Sequence, residues 1–202
     1  MSRSILVVFA HPALQKSRVG KVLAHAAEQV DGVHVHDLYE IYPDFDIIPG
    51  AEQRLLEAHD IIVLQYPFYW YSVPALLKEW FDLVLQHGWA YGKDGHRLEG
   101  KQCLAAITCG GGAKAYSSKG MNRFTIRELL APVEQTAQLC GMEWLGPFAV
   151  HGTHTLSDTE VQQYAVDYRR ILEALRDDRI DLKQANRRTH INLDLQAVIK
   201  EG

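Results

Sequence analysis

Five short apolar runs alternate with amphipathic stripes along this chain, and few folds are open to a sequence so patterned. Residues 5–10 are apolar at every position, as a central parallel strand covered on both faces must be. Val19, Val22, Leu23, Ala26, Ala27 and Val30 then recur at helical spacing, and Asp31-Gly32 closes that helix. Residues 33–38 alternate apolar side chains with His34 and His36, the mark of a less buried strand. A short amphipathic segment over 52–59 leads into an apolar strand over 61–64, and Pro74 opens a helix whose stripe is Leu76, Leu77, Trp80, Phe81, Val84 and Leu85. Residues 103–108 and 142–150 read as the fourth and fifth strands, with one helix over 126–140 between them. The capping box Ser157-x-x-Glu160 starts the last clear helix. Strand-helix alternation of this kind predicts a parallel sheet with right-handed crossovers and helices on both faces.

Five strands favour the flavodoxin-like doubly wound order 2-1-3-4-5. Residues 1–180 are expected to form this α/β domain, and the polar stretch 181–202, apolar only around 191–199, a C-terminal tail or docking arm. With 202 residues, 47% apolar, the chain suffices for one core. A net charge of -4 without a run of Lys and Arg argues against nucleic acid as a partner. Three cysteines, Cys103, Cys109 and Cys140, with no C-x-x-C pair, make neither a disulfide framework nor a zinc site and suit a reducing compartment. The first apolar run is too short for a secretory leader and no run is long enough to span a membrane, so a cytoplasmic location is expected.

In an open parallel sheet, ligands bind beyond the carboxyl ends of the strands, where strand order reverses, so the loops after strands one, three and four carry the functional reading. The first has neither G-x-G-x-x-G nor G-K-[ST], which argues against a tightly held dinucleotide and against ATP hydrolysis. It offers His11 and then Ser17 at a helix start, where backbone N–H groups and the helix dipole suit a phosphate, with Lys16, Arg18 and Lys21 nearby. Ser17 would serve equally well as an ordinary N-cap, and this loop alone leaves both roles open. The second loop packs Tyr66, Phe68, Tyr69, Trp70 and Tyr71 into six positions around Pro67, with neither strand nor helix period. At a strand's carboxyl end such a run favours a stacking platform for a planar ring over core packing. In the third, Gly110-Gly111-Gly112 lets backbone N–H groups approach a ligand edge, although a flexible turn would look the same. Together the three loops describe a flavin nucleotide. His34-x-His36 and His151-x-x-His154 have metal-ligand spacing, but for the first pair, on one face of a less buried strand with no acidic third ligand, solvated or capping histidines are the favoured reading, and no metal is expected. A phospho-receiver lacks its acidic cluster, and a hydrolase its G-x-S-x-G elbow.

At Ala10-His11-Pro12, Asp37-Leu38-Tyr39, Tyr42-Pro43-Asp44-Phe45, the stretch 65–74, Leu76-Leu77-Lys78-Glu79-Trp80-Phe81-Asp82, His87-Gly88-Trp89-Ala90-Tyr91-Gly92 and 108–112, the chain resembles the NAD(P)H:quinone oxidoreductase family of flavodoxin-like flavoproteins. Tyr42-Pro43-Asp44-Phe45 points to its Kef-type branch, the ancillary flavoproteins of glutathione-gated potassium efflux systems. The resemblance implies a flavin, FMN or alternatively FAD, whose phosphate and ribityl chain lie at His11, Ser17, Arg18, Val19 and Gly20. It implies Phe68, Tyr69, Trp70 and Tyr71 as the wall of the isoalloxazine ring, and Thr108, Cys109, Gly110 and Gly111 as donors to its polar edge. Tyr116 then holds the place of the tyrosine that assists hydride transfer, and Asn122 stands where the family has a histidine partner. Cys109 stands where the family has a second threonine, so its backbone is expected to act there. The implied activity is ping-pong, two-electron reduction of a quinone by NAD(P)H in a homodimer, with Trp70, Trp89 and Tyr91 suited to the interface. The alternative implied is a regulatory subunit that docks on a potassium efflux antiporter at the inner membrane.

Overall fold

The computed structural model describes residues 2–200; Met1 and the last two positions of the expected 181–202 arm lie outside the described residues. Five of its strands run parallel in the order β2-β1-β3-β4-β5, with β1 at Ile5–Phe9, β2 at Val33–Asp37, β3 at Ile61–Pro67, β4 at Gln102–Thr108 and β5 at Glu143–Trp144. A sixth, β6 at Phe148–Val150, also pairs with β4. The expected order is therefore observed.

Alternation of side chains across the pleat divides the core in two. Leu6, Val8, Ile62, Leu64, Cys103 and Ala105 face one apolar cluster, Ile5, Val7, Ile61, Val63, Leu104 and Ala106 the other. The second face is covered by α1 (Val19–Glu28), packed against α7 (Asp158–Arg176). The first is covered by α3 (Pro49–Glu57), α4 (Ala75–Val84), α5 (Ile126–Leu129) and α6 (Ala131–Leu139), while α2 (Leu38–Ile41) turns the chain after β2. In α4 the residues Leu76, Leu77, Trp80 and Val84 are buried, as their spacing predicts, and Pro74 is its N-cap. The Ser157–Glu160 capping box forms at the start of α7.

Three boundaries differ from expectation. The single strand over 142–150 is two, β5 and β6, because Gly146-Pro147 interrupts it: proline offers no N–H to the ladder, and a Cβ on Gly146 would lie 2.5 Å from the Ala185 carbonyl oxygen. The helix over 126–140 breaks at Leu130, where Pro132 begins a new turn. β3 runs through to Pro67, three residues beyond the apolar run, with Pro67 opposite Thr108. The segment after α7 forms α8 (Leu182–Arg187) and α9 (Leu195–Val198), and its Ala185, Ile191, Leu195 and Val198 are buried in the second core cluster.

A carboxylate anchors the first core. Glu52 is only 2% exposed and accepts hydrogen bonds from the Tyr42 hydroxyl at 2.6 Å, the Trp80 indole Nε1 at 2.8 Å and His36 Nε2 at 3.0 Å. Three donors hold its pKa below the ordinary carboxylate value even though burial pushes it up. His36 of the His34-x-His36 pair is thus a partner of a buried carboxylate. Replacing Glu52 with leucine strands these donors, so Glu52→Leu is expected to lower unfolding free energy by about 3 kcal/mol and Glu52→Gln by less, measured by urea denaturation.

Candidate functional site

Parallel pairing of β3 with β1 and β4 brings their carboxyl ends level: Phe9 lies opposite Gln65, and Pro67 opposite Thr108. The three loops that follow therefore meet over one edge of the sheet. They share an open cleft of about 130 Å³ lined by His11, Lys16, Ser17, Arg18, Val19, Gly20, Pro67, Tyr69, Thr108, Gly110, Thr153 and His154. A groove of about 370 Å³ between α1 and α7 is larger, but no strand-end loop lines it.

At the first loop, Ser17 Oγ accepts from the Gly20 N–H at 3.1 Å, so the hydroxyl does cap the helix. A Cβ on Gly20 would sit 2.7 Å from Ser17 Oγ and 3.3 Å from His11 Cδ2, so glycine keeps this cradle open. The backbone N–H groups of Arg18 and Val19 make no hydrogen bond among the described residues, and they stand at the positive end of α1. His11 is buried, and its Nδ1 accepts from the Ala13 N–H at 3.1 Å, which leaves Nε2 to carry the proton of a neutral ring. Burial lowers its pKa. Of the basic side chains, Lys16 lines the cleft, Arg18 pairs with Asp158 at 2.9 Å and donates to the Leu156 carbonyl, and Lys21 faces the α1/α7 groove. The turn is fixed from below: buried Gln65 donates to the Gly20 carbonyl at 3.2 Å and accepts from the Tyr168 hydroxyl at 3.0 Å.

The aromatic run serves two purposes. Tyr66 and Phe68 are buried in the core, whereas Tyr69, Trp70 and Tyr71 are exposed, Trp70 to 93%. Trp70 and Tyr71 hold φ of 51° and 61°, left-handed backbone rare for bulky residues. The Ser72 N–H donates to the Tyr69 carbonyl at 3.0 Å and closes this turn. His11 meets Tyr69 edge-on, 6.1 Å between ring centres.

The third loop corrects one expectation. The Cys109 N–H donates to the Val150 carbonyl at 2.8 Å and its carbonyl accepts from the Thr153 N–H at 3.1 Å, because Cys109 continues the β4–β6 ladder. Its backbone is therefore occupied and its thiol buried, with burial pushing the thiol pKa up to about 12. The N–H groups of Gly110, Gly111, Gly112 and Ala113 make no hydrogen bond among the described residues and form the row of donors instead. Tyr116 lies against this row, a Cβ on Gly111 being 3.4 Å from its hydroxyl. Burial raises the phenol's pKa and keeps it protonated, and Cys109 adds to the effect. Asn122 accepts from the Tyr71 hydroxyl at 3.1 Å through Oδ1 and donates its N–H to the Ala115 carbonyl at 3.0 Å, so it ties the aromatic turn to the Tyr116 loop.

The loop after β6 supplies Thr153, which the sequence reading passed over, and the His151-x-x-His154 pair, which it weighed for a metal but gave no place in the flavin site. Thr153 and His154 line the cleft, with His154 Nε2 2.9 Å from where a Gly110 Cβ would be. His151 lies 5.1 Å from the Tyr116 ring. The signal was available, since the strand-end rule holds for every strand of the sheet. No group of three or more metal-ligating side chains converges among the described residues.

The comparisons with known proteins agree with the fold. The family model described as the flavodoxin-like fold matches residues 3–172. KefF, a glutathione-regulated potassium-efflux system ancillary protein of Enterobacter sp. (strain 638), is 44% identical over 168 residues, covering 83% of this chain and 94% of its own. General stress protein 14 of Treponema denticola, solved in complex with FMN, is 40% identical with a TM-score of 0.82, covering 85% of this chain and 99% of that one. An NADPH-quinone reductase of P. pentosaceus is 34% identical with a TM-score of 0.76, covering 84% of this chain and 97% of that one.

Two outcomes follow from the site itself. Trp70→Gly relieves left-handed strain at a side chain that buries almost nothing, so it is expected to raise unfolding free energy by about 1 kcal/mol in a denaturant titration. His11, His151 and His190 all have pKa values lowered mainly by burial, His190 to about 4 from the ordinary 6.5. Such groups bind protons better unfolded, so their stabilisation is complete above the unfolded value and declines as pH falls toward the folded one. Melting temperature should therefore drop between pH 6.5 and pH 4, and less in His190→Gln.

Proposed function

This chain belongs to the family of the flavodoxin-like fold, and on that premise we propose that it is an FMN-dependent NAD(P)H:quinone oxidoreductase. One observation carries the reading: three strand-end loops of different chemistry meet in one cleft, a helix start for a phosphate, an aromatic turn for a ring and a row of N–H groups for a polar edge. The donor set fits the cofactor part by part. The cradle at Gly20 would take the phosphate, with Lys16 and the N–H groups of Arg18 and Val19. Tyr69, Trp70 and Tyr71 offer stacking surface, and the N–H groups of residues 110–113 suit negative charge on the pyrimidine edge. FMN is favoured over FAD because a relative 40% identical was solved with FMN. When bound, the flavin would supply the redox chemistry, accepting a hydride from NAD(P)H and passing two electrons to a quinone in ping-pong order.

The protein's own residues bind and orient. Tyr116, kept protonated by burial, is the hydrogen-bond donor beside the glycine row, and Asn122 holds its loop to the aromatic turn. Residues 1–180 are proposed as the flavin-binding unit, residues 181–202 as an accessory arm, and the working form as a homodimer in the cytoplasm. Among the described residues no helix is long and apolar enough to cross a membrane. A second reading rests on the 44% identity to KefF: the chain docks on a potassium efflux antiporter of the inner membrane and activates it.

Purified protein should bind FMN, quench its fluorescence, and oxidise NAD(P)H only when a quinone is present; the absence of FMN binding ends the proposal. Tyr116→Phe should keep FMN and lose about tenfold or more in kcat, the worth of one hydrogen bond to a charged acceptor. Potassium efflux compared in cells with and without the protein decides the second reading, which unchanged efflux would sink.

A further inference from the structure

Beyond residue 172, where the family match ends, the chain continues past α7 into an arm that reaches back to the Tyr116 side of the cleft. The Ile191 N–H donates to the Pro147 carbonyl at 2.8 Å, and Ile191 itself is buried. The Asn192 amide pairs with both backbone groups of Ala149, its Oδ1 accepting at 2.9 Å and its Nδ2 donating at 3.0 Å. Asn192 thus does for β6 what a neighbouring strand would do. From the other side, the Arg127 guanidinium donates to the carbonyls of Asn186 and Arg188.

These anchors fix the residue between them. The His190 ring lies 5.4 Å from that of His151, and His151 lies 5.1 Å from Tyr116, which is 6.5 Å from Phe68 at the foot of the aromatic turn. His151 is only 9% exposed, and its Nδ1 is buried without a hydrogen-bond partner. An imidazole held so, with a buried polar atom unpaired, costs stability. The rings meet tilted, at 48° between Tyr116 and His151, and edge-on, at 61° between His151 and His190, and burial favours the neutral form of all three.

We infer that His151 is the positioning residue for Tyr116 and that the C-terminal arm, through His190, braces it, so that the arm completes the substrate side of the active site. The inference rests on the flavoprotein reading for the role of Tyr116, but not for the contact itself. Tyr116 is half-buried and follows a short turn at Ala113–Ala115, with glycines on its open side. The histidine pair gives it a wall.

Three variants test this, with the Tyr116 ring resonances assigned by NMR in cofactor-free protein by comparison with Tyr116→Phe. His151→Ala and His190→Ala should both shift those resonances. In FMN-loaded protein, His151→Ala should lower kcat about tenfold while KM for NAD(P)H and FMN affinity stay within about twofold, since misplacement of a reacting group is felt mainly in turnover. His151→Phe, which restores a ring without its nitrogens, should recover most of the loss. Unchanged resonances and kcat in both alanine variants overturn the inference, and so does a His151→Phe protein as slow as His151→Ala, which would assign the nitrogens a role that packing does not explain. Wild-type protein that binds no FMN defeats the flavoprotein reading instead, and the cofactor-free resonances still judge the brace.

Discussion

The site depends on the register of one buried strand. β3 is buried at all seven positions and is hydrogen-bonded on both edges, to β1 and to β4. Parallel pairing admits no slip here, because a shift of one residue would exchange the two faces and send the side chains of each core to the other. With Phe9 opposite Gln65 and Pro67 opposite Thr108, the loops that follow must open at the same level. Gln65 makes that constraint reach the cleft, since its amide holds the Gly20 carbonyl and is held in turn by Tyr168 of α7.

Around this fixed frame, rigidity and strain are unevenly distributed. The deep end of the first core is locked by Glu52 and its three donors. The cleft shows the opposite character: two bulky aromatics in left-handed backbone, six N–H groups without acceptors in the described residues, and a buried imidazole nitrogen with no partner. The left-handed backbone and the buried unpaired nitrogen cost stability, and all of these features lie within one region of the sheet edge. Unmet hydrogen-bonding capacity gathered in one cleft is what a ligand with complementary acceptors would satisfy.

Much of this was legible in the sequence because parallel strands buried on both faces have to be apolar throughout, and residues 5–10, 61–64 and 103–108 are. The three loops followed from strand order alone. What was not legible depended on contacts between distant segments. The division of the aromatic run into core Tyr66 and Phe68 and exposed Tyr69, Trp70 and Tyr71 is set by β3 extending to Pro67, which no local pattern announces. Cys109 looked like a donor until the β4–β6 ladder took up its backbone, a pairing whose register is set one residue on from that of β5 across Gly146-Pro147. The stretch after residue 180 reads as polar because few of its side chains are apolar, yet Ala185, Ile191, Leu195 and Val198 suffice to seat it.

The same contacts account for how a chain of net charge -4 offers a locally positive cleft to the phosphate of the proposed cofactor. Of the basic side chains near the first loop, Arg18 is engaged by Asp158 and Lys21 faces another groove, so mobile positive charge contributes little beyond Lys16. Backbone N–H groups and the start of α1 supply the positive potential instead, fixed in direction and independent of pH. Such donors cannot be moved by a rotamer change, so the accuracy of the site is the accuracy of its loops. The loops are tied down by side chains from remote parts of the chain: Gln65 and Tyr168 under the first, Asn122 between the second and third, and Asn192 along the strand that carries His151. A binding surface made of backbone thus transfers its specificity to residues that never touch the ligand.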